Sequence, residues 1–292
     1  MTRDDRLLIA ATGLLAGFLA AEVAIALAFH SLALLADAGH MVTDVVALAA
    51  AVVAARLARR PASGHWTFGL ARAEVLSAAF NGVTLVVVAV IVLVEAIRRL
   101  VTPAHPSGSA MITVGLIGFV VNLVAGLLLS RTERMSMTIT GAMAHVVTDA
   151  IGFAAAIVAG VVIVTAGWLR ADPIASLVLV VVQLQAARSL LKASGRVLLE
   201  AAPSDVDLAL VRAHLLESSY VVDVHDLHVW TVTSGLPALS VHVVIAEECF
   251  TEGRAPMLLD ELQACLAGHF DVEHSTFQLE PAGHSDHEPA LH

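Results

Sequence analysis

Two apolar stretches of the sequence contain the same pair of metal-ligand side chains, a histidine followed four residues later by an aspartate. The pairs are His40 with Asp44 and His145 with Asp149. Side chains four residues apart lie on one face of a helix, so two such pairs on facing helices bring four ligands to one point. Two imidazole nitrogens and two carboxylate oxygens form a tetrahedral set that suits Zn²⁺ and also accepts Co²⁺, Cd²⁺ or Fe²⁺. The spacing therefore predicts a divalent-metal site between two helices.

Ionisable side chains inside apolar helices are costly, and they usually line a water-filled path or pair with one another. Metal ligands bind only when deprotonated, and histidine titrates near neutral pH, so a metal ion and protons exclude each other at such a site. A bundle that opened the site to each side of a membrane in turn would exchange metal for protons. Asp37, one turn before His40, and Asn122 in another apolar stretch either support a ligand or line the access path. The alternative is that both are packing residues that hydrogen-bond within the bundle.

The composition is that of a membrane protein with several spans. Of 292 residues, 58% are hydrophobic and 14% are charged, whereas about a quarter of the residues in a soluble domain are charged. The formal net charge of −10 argues against a nucleic-acid partner, and the sequence has no G-x-x-x-x-G-K-[ST] motif for a nucleotide. Cys249 and Cys265 lack the spacing of a zinc knuckle and do not form a disulfide framework.

Six apolar segments predict six transmembrane helices. They fall near residues 7–29, 32–55, 75–97, 110–130, 139–167 and 173–191. With the N-terminus in the cytoplasm, eleven Lys and Arg residues near the helix ends lie on the inner side and three on the outer side, which is the bias of cytoplasmic loops. We therefore expect a multi-pass protein of the cytoplasmic (inner) membrane with both termini in the cytoplasm. Arg98 and Arg99 depart from this bias because they fall on the outer side.

After Pro203 the sequence becomes polar and predicts a small soluble domain. The predicted elements are a helix over 204–217, strands over 220–232 and 238–245, a helix over 257–270 and a strand over 275–279. This α-β-β-α-β order predicts an α+β sheet with helices on one face. The chain is thus expected to divide into a six-helix transport domain over 1–202, a soluble domain over 203–281 and a disordered, histidine-containing tail over 282–292.

Five motifs of the sequence carry a family resemblance. They are SLALLADAGHMVTD, WTFGLARAEVLSAAFNG, GAMAHVVTDAIG, ADPIAS and VHDLHVWTVTSGLPALSVHVVI. These motifs resemble those of the cation diffusion facilitators, most closely the bacterial zinc, cobalt and cadmium resistance branch, over about residues 6–281. The resemblance implies a six-span homodimer with a cytoplasmic ferredoxin-like domain, which exports metal in exchange for protons through the four ligands named above. Some members also bind metal in the loop after the second span, but here His65 is its only histidine, so no site is predicted there.

The same resemblance implies a second metal site in the soluble domain. The ligands that it indicates are His225, His242, His274 and Glu280. His228 is the poorer candidate, because residues three apart in a regular strand point to opposite faces of the sheet, and His225 and His228 have that spacing. Zn²⁺ is then expected both as the transported substrate and as a bound ion of the soluble domain.

Two other classes of function are weighed against metal/proton antiport. An intramembrane zinc protease needs H-E-x-x-H within a span, which no predicted span contains. A catalytic metal also keeps an open coordination position, whereas four protein ligands close the shell. A membrane-anchored metal sensor remains open, although six spans exceed what an anchor requires. The sequence therefore favours a secondary transporter that exports Zn²⁺, with the metalloenzyme and the sensor as alternatives.

Overall fold

The computed structural model describes residues 2–28, 32–102, 106–133, 136–270, 272 and 274–284, without the side chains of residues 26, 28, 32–40 and 269. The chain divides into two compact units, Met1–Gly195 and Arg196–His292. The predicted domain boundary at residue 202 lies slightly further along the chain and stays a prediction. Most of the predicted disordered tail, from residue 285 onward, lies outside the described residues.

The first unit contains six long helices. They are α1 Arg3–Ala28, α2 Leu32–Ala58, α3 Ala73–Val101, α4 Gly108–Leu129, α5 Met137–Ala166 and α6 Ala171–Leu198. Each contains a stretch that is long and apolar enough to cross a membrane. The predicted number and positions of the spans are therefore confirmed for the described part of the chain.

Local sequence signals set the ends of the helix that carries the second histidine–aspartate pair. The hydroxyl of Ser136 accepts a hydrogen bond from the backbone N–H of Ile139 at 3.3 Å, which caps the start of α5. Gly167 ends α5 with a φ of +65°, a left-handed conformation that glycine adopts without steric cost. By contrast, α6 continues to Leu198, several residues beyond the predicted span, because arginine and lysine favour the helix although they end the apolar run.

Four of the helices share one apolar core. It is formed by Leu8, Ala11 and Leu15 of α1, Leu48 of α2, Ala125 and Leu129 of α4, and Ala142 and Val146 of α5. Helices α4 and α5 approach most closely through glycines: a Cβ added at Gly160 would lie 2.8 Å from the carbonyl oxygen of Gly108. Because that oxygen belongs to the backbone, an added side chain forces the two helices apart.

Substitution of Gly160 by alanine is therefore expected to destabilise the transmembrane unit by about 1–3 kcal/mol, the usual cost of overpacking. The variant should show an apparent melting temperature several degrees below that of the wild type when heated in detergent and assayed by size-exclusion chromatography. Gly13→Ala is the matched control, because a Cβ at Gly13 meets no atom within 4 Å. Equal melting temperatures for the two variants would contradict the close approach of α4 and α5.

Arg99, one of the two arginines that depart from the predicted charge bias, is paired where α3 ends and α6 begins. Arg99 Nε lies 2.9 Å from Glu95 Oε1, and Arg99 Nη1 lies 3.2 Å from Asp172 Oδ2. The pair with Asp172 joins the end of α3 to the start of α6 and offsets the charge of Arg99. The carboxylate of Asp172, more than seventy residues from Arg99 in sequence, thus explains why Arg99 can depart from the charge bias.

The second unit is a small α+β domain, as predicted. Its elements are α7 Leu208–Leu216, β1 Val221–Thr233, β2 Leu236–Ile245, α8 Glu247–Thr251, α9 Ala255–Phe270 and β3 His274–Glu280. The sheet has the order β1-β2-β3, with β1 antiparallel and β3 parallel to β2. Buried side chains of α7 and α9 pack on one face of the sheet, so the opposite face is the one on which polar side chains can gather.

Two helices of this unit differ from the prediction. The start of α7 lies at Leu208 and not near Ser204, because the carboxylate of Asp207 accepts a hydrogen bond from the N–H of Ala209 at 2.9 Å and caps the helix. The short helix α8 was not predicted, since five residues are too few to show a helical period.

A β-bulge changes the facing of the histidines in β1. His225 pairs with His242 and His228 pairs with Ser240, so two residues of β1 lie opposite the single residue 241 of β2. Asp226, the first residue of the bulge, adopts a φ of +48°. Residues 240 and 242 share one face of β2, and therefore His225 and His228 share that face. The expectation that they point to opposite faces is wrong, because it assumed a regular strand.

Candidate metal centres

The predicted intramembrane site brings together one residue from each histidine–aspartate pair. His145 Nδ1 of α5 lies 3.3 Å from Asp44 Oδ1 of α2. The two residues are 1% and 5% exposed, and Leu48, one turn after Asp44, and Val146, next to His145, belong to the apolar core shared by α1, α2, α4 and α5. An imidazole and a carboxylate that meet across two helices in such a setting have the donor chemistry of a metal centre.

The second imidazole nitrogen of His145 is the atom of this pair best placed to bind metal. His145 Nε2 is buried and makes no hydrogen bond within the described part of the chain. When a carboxylate accepts a hydrogen bond from one ring nitrogen, it fixes the tautomer and leaves the lone pair of the other nitrogen for a metal. In this arrangement Asp44 orients the ring of His145, and coordination of the metal by Asp44 itself stays a prediction.

The remaining predicted ligands are only partly described. Asp149 lies one turn after His145 on α5 and is half-buried. His40 and Asp37 lie within α2, one and two turns before Asp44, but their side chains fall outside the described residues. The convergence of all four ligands therefore stays a prediction.

Asn122 of α4 is buried at the level of the predicted site. Two close contacts give the register of the antiparallel helices α4 and α5, namely Gly126 with Val146 and Gly118 with Phe153. Asn122 lies midway between the two glycines, and Asp149 lies midway between their partners on α5. The Asn122 side chain is 1% exposed and donates to the carbonyl of Gly118 at 3.0 Å, while its Oδ1 has no partner in the described part of the chain.

The soluble unit contains a compact cluster of two histidines and a glutamate. His225 Nε2 lies 3.2 Å from Glu280 Oε2, and His242 Nδ1 lies 2.8 Å from Glu280 Oε1. One ligand atom from each residue lies within 4.8 Å of the other two. Glu280 is buried at 1% exposure, and the two imidazoles are partly exposed. Two nitrogens and a carboxylate oxygen at this spacing are three of the four donors that a tetrahedral Zn²⁺ requires.

Antiparallel pairing of β1 with β2 and parallel pairing of β2 with β3 explain how distant residues form this cluster. His225 pairs with His242 across β1 and β2, and Val244, two residues after His242, pairs with Glu280 across β2 and β3. Residues 242 and 244 lie on the same face of β2. Gln278, which pairs with His242, donates to Glu280 Oε1 at 2.8 Å and so holds the carboxylate in place.

The bulge adds an acidic residue that sequence reasoning missed. Asp226 Oδ1 lies 2.9 Å from His228 Nε2, and Asp226 Oδ2 lies 3.7 Å from His242 Nε2. In a regular strand Asp226 would point to the opposite face from His225. The sequence H-D-L-H gives the residue types, but only the left-handed conformation of Asp226 brings its carboxylate to the histidines.

His274, which the family resemblance indicated as a ligand, lies apart from the cluster. It is the first residue of β3 and pairs with Ala238, whereas His242 pairs with Gln278. Four residues along a strand correspond to roughly 13 Å. The structure thus brings together His225, His242 and Glu280 and does not bring His274 to them.

Two protein-family models match this chain, one over its helical part and one over its soluble unit. The protein-family model of the cation efflux transmembrane domain matches residues 8–199, and the protein-family model of the cation efflux protein cytoplasmic domain matches residues 203–282. The chain is 39% identical over 289 residues to the metal cation efflux system protein CzcD of Cupriavidus metallidurans, covering 99% of this chain and 90% of that protein.

Two further relatives cover most of the chain. A cadmium, cobalt and zinc/H(+)-K(+) antiporter of Bacillus velezensis is 37% identical over 258 residues, which are 88% of this chain and 82% of the relative. The zinc transporter ZitB of Escherichia coli is 38% identical over 279 residues, which are 95% of this chain and 88% of the relative. A solved metal-bound C-terminal domain of the CzcD transporter from Cupriavidus metallidurans is 43% identical, with a TM-score of 0.23, and covers 26% of this chain and 99% of that domain.

Proposed function

The chain belongs to the cation efflux family, and from that premise we propose that it exports Zn²⁺ from the cytoplasm in exchange for protons through His40, Asp44, His145 and Asp149. It is a multi-pass membrane transporter of divalent metal cations and not an enzyme, as its relatives are. The choice of metal, the coupling to protons and the four ligands are the parts of this statement that we propose.

The contact between His145 and Asp44 is the observation that carries the proposal. It joins two spans at a separation of 3.3 Å between Nδ1 and Oδ1, in a bundle whose surrounding core is apolar. A buried polar contact of this kind is weak evidence for stability, since well-packed apolar residues serve at least as well. Its residue types instead suit a function that requires a metal-binding imidazole and a carboxylate inside the membrane.

Exchange for protons follows from the chemistry of these ligands. Imidazole and carboxylate bind metal only in their deprotonated forms, so protons that arrive from one side displace the metal and metal displaces the protons. The name of the Bacillus velezensis relative, a cadmium, cobalt and zinc/H(+)-K(+) antiporter, supports the same coupling. A set of two nitrogens and two oxygens favours Zn²⁺ and accepts Cd²⁺, Co²⁺ or Fe²⁺ in preference to Mg²⁺ or Ca²⁺.

Further proposals concern the soluble unit and the membrane. His225, His242 and Glu280 hold a second metal ion, for which their separation of at most 4.8 Å is the support.

We further propose that both termini lie in the cytoplasm and that the protein lies in the inner membrane, which the bias of Lys and Arg favours. The protein is a homodimer, as the family resemblance implies, and a dimer would also supplement the modest core of a unit of this size.

Reconstitution tests the proposed function directly. Liposomes that contain the full-length protein and an interior more acidic than the medium should accumulate Zn²⁺, and a protonophore should abolish the accumulation. Parallel measurements with Cd²⁺, Co²⁺, Fe²⁺ and Mn²⁺ rank the substrates. Uptake that is unchanged when the pH gradient is removed would contradict proton exchange, and the absence of uptake of any of the five metals would contradict transport.

A further inference from the structure

A glutamine lies inside the apolar stretch of α6 and is buried there. Gln183 stands in the run V-L-V-V-V-Q-L-Q and is 1% exposed, and its Oε1 makes no hydrogen bond within the described part of the chain. Buried polar atoms without a protein partner are rare in folded proteins, and water or a ligand usually supplies the missing partner. The function proposed above gives this glutamine no role, so its burial requires an explanation.

Close packing of α6 on α5 places Gln183 opposite the turn of α5 that carries the second histidine–aspartate pair. A Cβ added at Gly152 of α5 would lie 3.1 Å from the side chain of Leu179 of α6, which gives the register of these two antiparallel helices. One turn away from that contact, Gln183 of α6 reaches the level of Thr148 of α5. Gln183 therefore lies at the depth of residues 145–149.

The face of α5 that α6 contacts is the face that carries His145. His145, Thr148 and Gly152 are spaced by three and four residues, so they share one face of the helix, and Gly152 is the residue that Leu179 approaches. The hydroxyl of Thr148 donates to the backbone carbonyl of His145 at 2.8 Å, and the two residues are separated by roughly 4.5 Å along the helix axis. Gln183 thus lies across from the face of His145, less than one helical turn from its level.

The neighbouring side of α3 is apolar at this depth. A Cβ added at Gly82 of α3 would lie 3.4 Å from the side chain of Leu190 of α6, which gives the register of α3 against α6. Two turns away from that contact, Gln183 reaches the level of Ala89, which is 1% exposed, and an apolar cluster of α3 and α6 fills the space between. The helix that brings polar side chains to the level of Gln183 is therefore α5 and not α3.

Two buried polar atoms without a hydrogen bond in the described part of the chain lie at this depth, Nε2 of His145 and Oε1 of Gln183. Nε2 is the proposed metal-binding atom, whereas an amide oxygen accepts hydrogen bonds and so suits a water molecule that is bound to the same metal. The four proposed protein ligands complete a tetrahedral shell around Zn²⁺. A larger divalent cation such as Cd²⁺ has room for a fifth or sixth ligand, and water is a common one.

We propose that Gln183 is a selectivity-determining residue of the transport site, and that its Oε1 holds the water molecule that completes the coordination of divalent cations larger than Zn²⁺. This inference rests on the proposed function, because it takes His145 to bind the transported ion. The amide adds an acceptor without adding charge, so the attraction of the site for Zn²⁺ is nearly unchanged. Gln183 thereby lets one site bind a four-coordinate Zn²⁺ and also a larger ion with an added water.

Equilibrium binding in detergent tests this role without reference to transport. The full-length protein carries Glu280→Gln, so that the soluble cluster contributes little, and the affinities for Cd²⁺ and Zn²⁺ are measured by competition with a chromophoric chelator. Gln183→Leu should weaken the binding of Cd²⁺ by at least about tenfold, as loss of an outer partner of a metal site does, and leave the binding of Zn²⁺ within about threefold. Gln185→Leu, at an exposed glutamine of the same helix, is the matched control and should change neither affinity.

The ratio of the two affinities distinguishes this role from a packing defect. A defect in packing weakens the binding of both metals, so equal losses for Cd²⁺ and Zn²⁺ in Gln183→Leu would overturn the proposal. A ratio equal to that of Gln185→Leu would overturn it as well. Gln183→Met, whose side chain is unbranched like that of glutamine, replaces the leucine variant if that variant does not elute as a folded protein in size-exclusion chromatography.

Uptake by proteoliposomes separates failure of this role from failure of the proposed function. The ratio of the initial rates of Cd²⁺ and Zn²⁺ uptake should fall by at least about tenfold in Gln183→Leu and stay at the wild-type value in Gln185→Leu. The expected shift in binding, in a protein that moves no metal, would support the role of Gln183 and contradict the function. Zn²⁺ uptake by the wild type, with no Cd²⁺ uptake or with an unchanged ratio in Gln183→Leu, would contradict that role and leave the function standing.

Discussion

Asp44→Asn is expected to lower Zn²⁺ uptake in proteoliposomes by about 100-fold or more, because even residues that only support a ligand account for 10–100-fold in metal affinity. Asparagine retains the shape of the side chain and an oxygen that can accept from His145 Nδ1, which lies 3.3 Å from the carboxylate in the wild type. The bundle should therefore fold, while the negative charge that balances the cation is lost. His145→Ala and Asp149→Ala should have equally large effects.

The control for these variants is a carboxylate in a membrane helix that has no part in the site. Glu95→Gln removes a charge near the end of α3 where the side chain is 48% exposed and paired with Arg99. An exposed pair of this kind contributes little to stability, so uptake should stay at the wild-type rate. Equilibrium binding of Zn²⁺ in detergent, measured on the same preparations, shows whether the loss occurs at binding. Wild-type uptake by both His145→Ala and Asp149→Ala would contradict the site assignment.

The convergence of Asp44 and His145 illustrates how far the sequence could predict this site. Four-residue spacing fixes which side chains share a helix face, and the cost of burying them in apolar helices indicates a functional reason. Neither observation says which helices face each other. That depends on packing such as the contact of Gly160 with Gly108, which involves glycines whose importance is not apparent from hydropathy.

The soluble unit shows where local patterns fail. Alternation predicted the strands, but one extra residue at Asp226, with a φ of +48°, returned His228 to the face of His225. Many sequences can adopt the conformation of a bulge when tertiary contacts favour it. The local sequence therefore did not predict the bulge at Asp226. The register of β3 could not be predicted from the sequence either, because its parallel pairing with β2 depends on a crossover through α9. That register separates His274 from the cluster.

Glu280→Gln is expected to lower the affinity of the soluble unit for Zn²⁺ by about 100-fold or more. The carboxylate is 1% exposed and contacts both imidazoles, at 3.2 Å from His225 Nε2 and 2.8 Å from His242 Nδ1. Glutamine has the same shape, but it supplies a neutral oxygen and an NH₂ group that cannot bind metal. The measurement uses the full-length protein with Asp44→Asn, so that binding at the transport site is suppressed and the remaining binding reports the soluble unit.

His274→Ala in the same background separates the geometric assignment from the one that the family resemblance implies. His274 pairs with Ala238 and lies four residues along β3 from Gln278, the partner of His242. The His274→Ala variant should therefore bind Zn²⁺ with an affinity within about threefold of the parent, since surface changes remote from a site have small effects. Glu261→Gln, an exposed glutamate of the same unit, is the charge control and should behave likewise. A loss in His274→Ala as large as that in Glu280→Gln would contradict the three-residue cluster, because it would require a ligand roughly 13 Å away along the strand to reach the metal.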